Sequence, residues 1–250
     1  MSKIADFLDT IRAEFPDDRL TFQKRLATFH PESADEAARL FKMAGAAGQQ
    51  VYITGYGNNI DPDGESFADL LIVRTDRLNH VHEISETDLF VRVGSGYPMR
   101  EINKELESHQ LYTPHSALSY VGSTGGAVAV NLSAELNGHD LPIKKYFLQA
   151  EIVTPKGEII TPGSICFKSV SGYDIVKIYA ASWGLLGLMV SITFRVMPLT
   201  AAEEYATMKM KAIDRRHFLS GLDESISETD AIYSRKIKAK FDPLSILPIV

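Results

Sequence analysis

The chain has 250 residues, 45% of them apolar and 23% charged, and a formal net charge of −6. That length can bury one large core or two lobes, and the negative balance argues against nucleic acid or an anionic membrane surface as the main partner. A single cysteine, Cys166, excludes an internal disulfide and any cysteine-ligated zinc or iron–sulfur cluster held by this chain alone.

The N-terminus carries acids early and has no continuous apolar run, so no signal peptide is expected. No stretch approaches the roughly 20 apolar residues that span a bilayer, and the expected location is the cytoplasm. Ile4, Phe7, Leu8 and Ile11 recur at helical spacing and predict an opening helix over 2–14, closed near Pro16. Ser33 and Glu36 form a capping box for a second helix, whose face carries Ala37, Leu40, Phe41 and Ala44 and which stops at Gly48. The β-formers Val51, Tyr52, Ile53 and Thr54 then run into Gly55, Tyr56, Gly57, Asn58 and Asn59. Alternate glycines let a backbone take positive φ and gather N–H groups around one point, as a phosphate requires. On this stretch alone an ordinary glycine turn after a strand is the favoured reading, and the other glycine-bearing segments of the chain shift the balance. Asp61-Pro62-Asp63-Gly64 lacks the later ligands of a calcium loop and reads as a turn.

Strands are expected over 70–74, 80–84 and 89–93. His80 and His82 share a strand face, but two histidines without a third ligand read as a solvated face and no metal is expected. Gly94-Ser95-Gly96 leads into a predicted helix over 98–109. Met99 occupies the third-glycine position after that pair and Ile60 the one after Gly55-Tyr56-Gly57, so neither is a Rossmann fingerprint. The segment 122–131 (Gly-Ser-Thr-Gly-Gly-Ala-Val-Ala-Val-Asn) is small enough for close approach by another element or by a flat ligand. A hairpin follows, with strands 146–154 and 158–161 around Pro155-Lys156-Gly157. Lys168-Ser169-Val170-Ser171-Gly172-Tyr173-Asp174 and Ser182-Trp183-Gly184-Leu185-Leu186-Gly187 lead to an apolar strand over 188–196, ended by Pro198. Beyond it a strand (205–211), a helix (214–226) and an apolar tail punctuated by prolines (242–250) are expected. Hydrolase chemistry has no Gly-x-Ser-x-Gly elbow to stand on.

Taken in order, these motifs over about residues 25–198 resemble the FAD-binding domain of the p-cresol methylhydroxylase/vanillyl-alcohol oxidase family, in its glycolate oxidase and D-lactate dehydrogenase branch. The resemblance implies an α+β fold of two lobes, about 20–85 and 86–198, with FAD between them, and a truncated cap or partner-binding segment over 199–250. Thr54, Gly55, Tyr56, Gly57, Asn58 and Asn59 would hold the pyrophosphate. Ser123, Thr124, Gly125, Gly126 and Val128 would line the pyrophosphate and ribityl chain, Asn131 would open a loop near the flavin ring, and Gly187 and Met189 would flank the adenosine half. Some family members attach flavin covalently through a histidine in the pyrophosphate loop; none lies between residues 31 and 79, so noncovalent FAD is expected. Thr54, Tyr56 and Ala181 depart from the family pattern, standing where arginine, glycine and glycine are usual.

The implied activity is an FAD-dependent oxidoreductase subunit that moves a hydride from a small 2-hydroxy acid, such as glycolate or lactate, to flavin and passes electrons to a partner chain. His139 is the candidate for taking the substrate proton, with His115 next; for each, a structural histidine is the alternative. A non-catalytic flavin-binding or scaffold subunit is the second reading, favoured by the shortened cap. An enolpyruvate-sugar reductase is a third, lacking its own substrate domain here. The apolar tail either meets a partner subunit, or another copy of the chain, or packs back on its own domain.

Overall fold

A computed structural model of the chain describes residues 3–23, 26–59, 65–165, 175–213 and 229–249. The Asp61–Gly64 turn, Cys166, the 168–174 run and the helix expected over 214–226 lie outside the described residues.

The first layer is a four-stranded sheet covered by two helices. Its elements are α1 (Lys3–Glu14), β1 (Leu20–Gln23), β2 (Leu26–Phe29), α2 (Ala34–Ala47), β3 (Val51–Thr54) and β4 (Leu71–Arg74), with strand order β1-β2-β4-β3. β4 runs parallel to both β2 and β3, so α2 is the crossover that carries the chain between them. Ser33 caps α2 by accepting from the Glu36 N–H (3.2 Å), and Gly48 closes it at φ 59°. The Glu36 carboxylate reaches back to the Glu32 N–H (2.9 Å) and not to the cap residue, and it also holds Arg19 at 3.0 Å. Ala37, Leu40, Phe41 and Ala44 are fully buried against Phe7, Leu8 and Ile11 of α1 and Phe29 of β2. Burial of each large side chain there contributes about 1.5–3 kcal/mol.

The second layer is an antiparallel five-stranded sheet, built from β5 (Val81–Ser85), β6 (Phe90–Gly94), β10 (Phe147–Val153), β11 (Ile159–Ile160) and β12 (Leu188–Arg195) in the order β11-β10-β12-β6-β5. β5, which sequence reasoning grouped with the first lobe, pairs with β6 here. Between β6 and β10 come α3 (Ile102–Glu107), β7 (Leu111–Tyr112), α4 (Thr124–Ala129), β8 (Ser133–Leu136) and β9 (His139–Pro142). The helix expected over 98–109 is shorter: a 3-10 turn at Met99–Glu101 precedes α3, and Gln110 takes φ 56° after it. The segment 131–140, read as a loop, contains a two-residue hairpin in which Asn137 (φ 52°) and Gly138 (φ 79°) join β8 to β9.

After β12 come β13 (Met197–Pro198), β14 (Lys209–Met210) and α5 (Thr229–Phe241). The strand expected over 205–211 shrinks to β14, because Leu199–Tyr205 forms a 3-10 turn and β14 finds only the edge of β8 to pair with. α5 has no counterpart in the sequence reading. The tail beyond it packs back on the first core: Ile246 and Leu247 are buried there, and the Ile246 carbonyl accepts from the Val51 N–H at 2.7 Å. Leu244 and Ile249 stay 54% and 50% exposed. Among the described residues no helix is long and apolar enough to cross a membrane.

Candidate functional site: a glycine-walled cleft between the two sheets

β3 delivers Thr54 and the glycine loop to one wall of an open cleft of about 670 Å³. The two glycines are needed for different reasons. Gly57 takes φ 80°, whereas Gly55 has ordinary φ and serves close approach, since a Cβ there would lie 2.5 Å from Ser123 Oγ. None of the backbone N–H groups from Gly55 to Asn59 has a backbone acceptor among the described residues. The loop side chains reach across to the second layer instead. Tyr56 OH donates to the Gly96 carbonyl (2.6 Å), Asn58 Nδ2 to the Val121 carbonyl (3.2 Å) and Asn59 Nδ2 to Tyr120 OH (3.1 Å). Tyr56, which stands where the family pattern usually has glycine, thus lends its phenol to cross-bracing. Burial, and then the Asp76 charge, push that phenol above its usual pKa.

Behind the loop, Arg74 donates to the Tyr56 carbonyl (3.2 Å) and faces Asp76 (3.6 Å), which pairs with His30 at 2.7 Å. Burial alone would raise the Asp76 pKa, but the hydrogen bond and charge of His30, with Arg74, outweigh it and hold the carboxyl below its usual range.

The opposite wall is the N-terminus of α4 and the Gly94–Gly96 turn. Ser123 caps α4 by accepting from the Gly126 N–H (3.1 Å), Thr124 Oγ1 donates to the Gly94 carbonyl (2.8 Å), and the Gly125 N–H donates to the Ser95 carbonyl (2.8 Å). Side chains are excluded at Gly125, where a Cβ would stand 2.9 Å from Ser95 Cβ. Trp183, Gly184, Gly187 and Met189 complete the lining. Ala181 (φ 65°) and Trp183 (φ 52°) occupy left-handed backbone while their N–H groups donate to Val128 and Ala129, both at 3.1 Å.

Thr54, Gly55, Tyr56, Gly57, Asn58, Asn59, Ser123, Gly125, Gly126, Gly187 and Met189 all line this cleft. Thr124 and Val128 belong to α4 and are fully buried, outside the cleft lining, and Asn131 (φ 50°) sits past the end of α4 with Oδ1 accepting from the Lys144 N–H (3.4 Å). Sequence reasoning missed Tyr52, Ile53, Thr75, Ser95, Tyr120 and Trp183, which also line it; Ser95 and Trp183 each stand beside a glycine, which was the available signal.

The histidines stand apart. His139 opens β9 on an exposed edge and does not line the cleft. His115 is buried, its Nε2–H donates to the Leu141 carbonyl (2.9 Å), and desolvation lowers its pKa to about 4, the hydrogen bond only partly opposing. His80 and His82 are exposed, and no group of three metal-ligating side chains forms among the described residues. Within the described lining there is no histidine, carboxylate, lysine or arginine.

Free N–H groups, side-chain-free walls and aromatic faces at Tyr52, Tyr120 and Trp183 define a site for an extended anionic ligand with flat parts. Residues 26–163 match the family described as FAD binding domain, and with 138 of 250 residues inside the match the chain belongs to that family. It is 25% identical over 174 residues to a glycolate oxidase subunit, GlcD, of Bacillus subtilis, covering 69% of this chain and 37% of that protein. It is 26% identical over 176 residues to a mitochondrial D-lactate dehydrogenase [cytochrome] of Arabidopsis thaliana, covering 68% and 30%. Glycolate oxidase subunit GlcE of Escherichia coli is 28% identical over 114 residues, 45% of this chain and 33% of that one. The chain thus spans about a third of the length of these relatives. In solved structures, alkyldihydroxyacetonephosphate synthase shares the fold at a TM-score of 0.61, with 18% identity over 78% of this chain and 40% of that one. The cleft fits FAD by its own chemistry: the free N–H groups of 55–59 suit a diphosphate, the glycines admit it, and Ser95 Oγ, buried and unpartnered, lacks an acceptor.

Proposed function

We propose that the chain holds FAD noncovalently in this cleft and serves as the flavin-carrying part of an oxidoreductase acting on a small 2-hydroxy acid such as glycolate or lactate, with electrons leaving to a partner chain. The observation that carries the reading is the run of N–H groups over 55–59 without backbone acceptors among the described residues, in a cleft that the capped N-terminus of α4 also lines. Those N–H dipoles would neutralise the diphosphate without a cationic side chain. Tyr56, Asn58 and Asn59 hold the two walls at a fixed spacing, and Arg74 fixes the Tyr56 peptide. Bound FAD supplies the hydride-accepting chemistry. The domain division (an FAD domain to about residue 198, then a shortened cap) belongs to the same proposal, as does assembly with other subunits or with further copies of the chain. The names of the glycolate oxidase subunits GlcD and GlcE support such assembly.

One observation favours the second reading, a flavin-binding or scaffold subunit without chemistry of its own. The described cleft lining offers no ordinary acid–base side chain, and neither His139 nor His115 lines it. A base for the substrate proton would then come from outside the described lining. The test is the visible spectrum of the purified protein before and after acid precipitation, followed by anaerobic addition of glycolate or D-lactate. Flavin that moves to the supernatant establishes noncovalent FAD, and bleaching by a hydroxy acid establishes the dehydrogenase. Flavin that resists every hydroxy acid until a partner chain is added favours the scaffold reading. A protein that neither carries nor takes up FAD overturns both.

A further inference from the structure

We infer that the Ser95 hydroxyl donates a hydrogen bond to an oxygen of bound FAD, a cofactor contact outside both the glycine loop and the 123–131 segment; this rests on the proposal that FAD fills the cleft. Ser95 follows β6 directly, between Gly94 and Gly96, and its backbone is fully engaged. Its N–H donates to the Val190 carbonyl and its carbonyl accepts from the Gly125 N–H, both at 2.8 Å. The residue is therefore fixed in the cleft wall, 1% exposed, with an Oγ that has no partner.

Hydroxyls on either side are already engaged. Thr124 Oγ1 is bonded to the Gly94 carbonyl (2.8 Å) and Tyr56 OH to the Gly96 carbonyl (2.6 Å). No side chain can grow in to serve Ser95 from Gly125, whose Cβ would stand 2.9 Å from Ser95 Cβ. Of Ser95, His115, Tyr179 and Ser182, which carry buried polar atoms without partners, Ser95 is the one that lines the cleft. A buried hydroxyl without an acceptor is costly, and an oxygen-rich ligand in the cleft would complete it.

The test is Ser95→Ala, read by FAD titration against the emission of Trp183, the single tryptophan of the chain and itself in the cleft lining. FAD is expected to bind about tenfold more weakly, or about 1.4 kcal/mol. The variant without FAD should melt at or above the wild-type temperature, since an unsatisfied group has been removed. FAD affinity within twofold of wild type overturns the inference. So does a cofactor-free variant that melts well below wild type, because the hydroxyl would then have a protein partner. Wild-type chain that takes up no FAD at all overturns the cleft proposal and this contact with it.

Discussion

Two buried polar places in this chain follow opposite rules. In the C-terminal latch Asp242 Oδ1 accepts from the Ile246 N–H (3.1 Å), while Oδ2 accepts from the Leu247 N–H (2.9 Å) and from Lys238 Nζ. Lys238 also donates to the Leu185 carbonyl (3.0 Å) and the Leu247 carbonyl (2.8 Å). Burial pulls the Lys238 ammonium below its usual pKa, with Asp242 countering in part. The cleft, by contrast, leaves the Ser95 hydroxyl unpaired and, among the described residues, the 55–59 N–H groups without backbone acceptors. A closed polar network fixes a fold, whereas an open one in a walled space marks where a ligand completes it. The two places adjoin, since Leu185, whose carbonyl accepts from Lys238, directly follows Gly184 of the cleft lining.

The largest loss is expected at Asp242. Asp242→Ala strands the Lys238 charge and two backbone N–H groups, and removing one partner of a buried pair costs about 3–5 kcal/mol. A thermal melt should fall by on the order of 10 °C. A fall of only a degree or two would show that the latch is not closed in solution.

pH tests a second open atom, His115 Nδ1, which belongs to neither place. Folding depresses the His115 pKa to about 4 from an ordinary 6.5. Stability is therefore full above about pH 6.5 and is lost as pH falls toward 4, where only the unfolded chain gains the proton. The loss over that window is up to about 3 kcal/mol. Urea melts at pH 7 and pH 4.5 should show it, and His115→Gln should remove most of that slope; an unchanged slope would refute the assignment.

On the cleft side, Tyr56→Phe separates bracing from ligand binding. It removes the phenol that reaches the Gly96 carbonyl, for a loss of about 1 kcal/mol in stability and a few-fold loss in FAD affinity. Equal FAD binding with lowered stability would mean that the brace serves the fold alone.

Legibility in the sequence followed the range of the interactions. α2, β3 and β12 were plain because a cap, an apolar face or an apolar run sits within a few residues. The Asn137-Gly138 turn was as local, but it was overshadowed by reading 131–140 as a loop beside the flavin ring. α5 was hidden by its charge: Arg235, Lys236, Lys238 and Lys240 mask a face that buries little beyond Ala231. The glycine loop was legible as a turn suited to a phosphate, yet the cross-bracing by Tyr56, Asn58 and Asn59 depends on residues 40 to 63 positions away and could not be. Ser95 was passed over because Gly-Ser-Gly was weighed against a dinucleotide fingerprint, and an unpaired hydroxyl exists only once the two sheets meet.

The smallest expected effect separates strain from packing at the junction of cleft and latch. Ala181 holds φ 65°, a left-handed conformation that costs an L-residue about 1–2 kcal/mol. Its N–H is tied to the Val128 carbonyl at 3.1 Å, so the backbone cannot relax without releasing the end of α4. Ala181→Gly removes the Cβ penalty but adds about 0.5–1 kcal/mol of unfolded-state entropy, leaving a net gain of about 0.5 kcal/mol. The melting temperature should rise by about 1–2 °C with FAD affinity unchanged. A lower melting temperature would mean that the Ala181 methyl packs well enough to offset its strain; tighter FAD binding would mean that the strained loop gates the cleft as well as closing it.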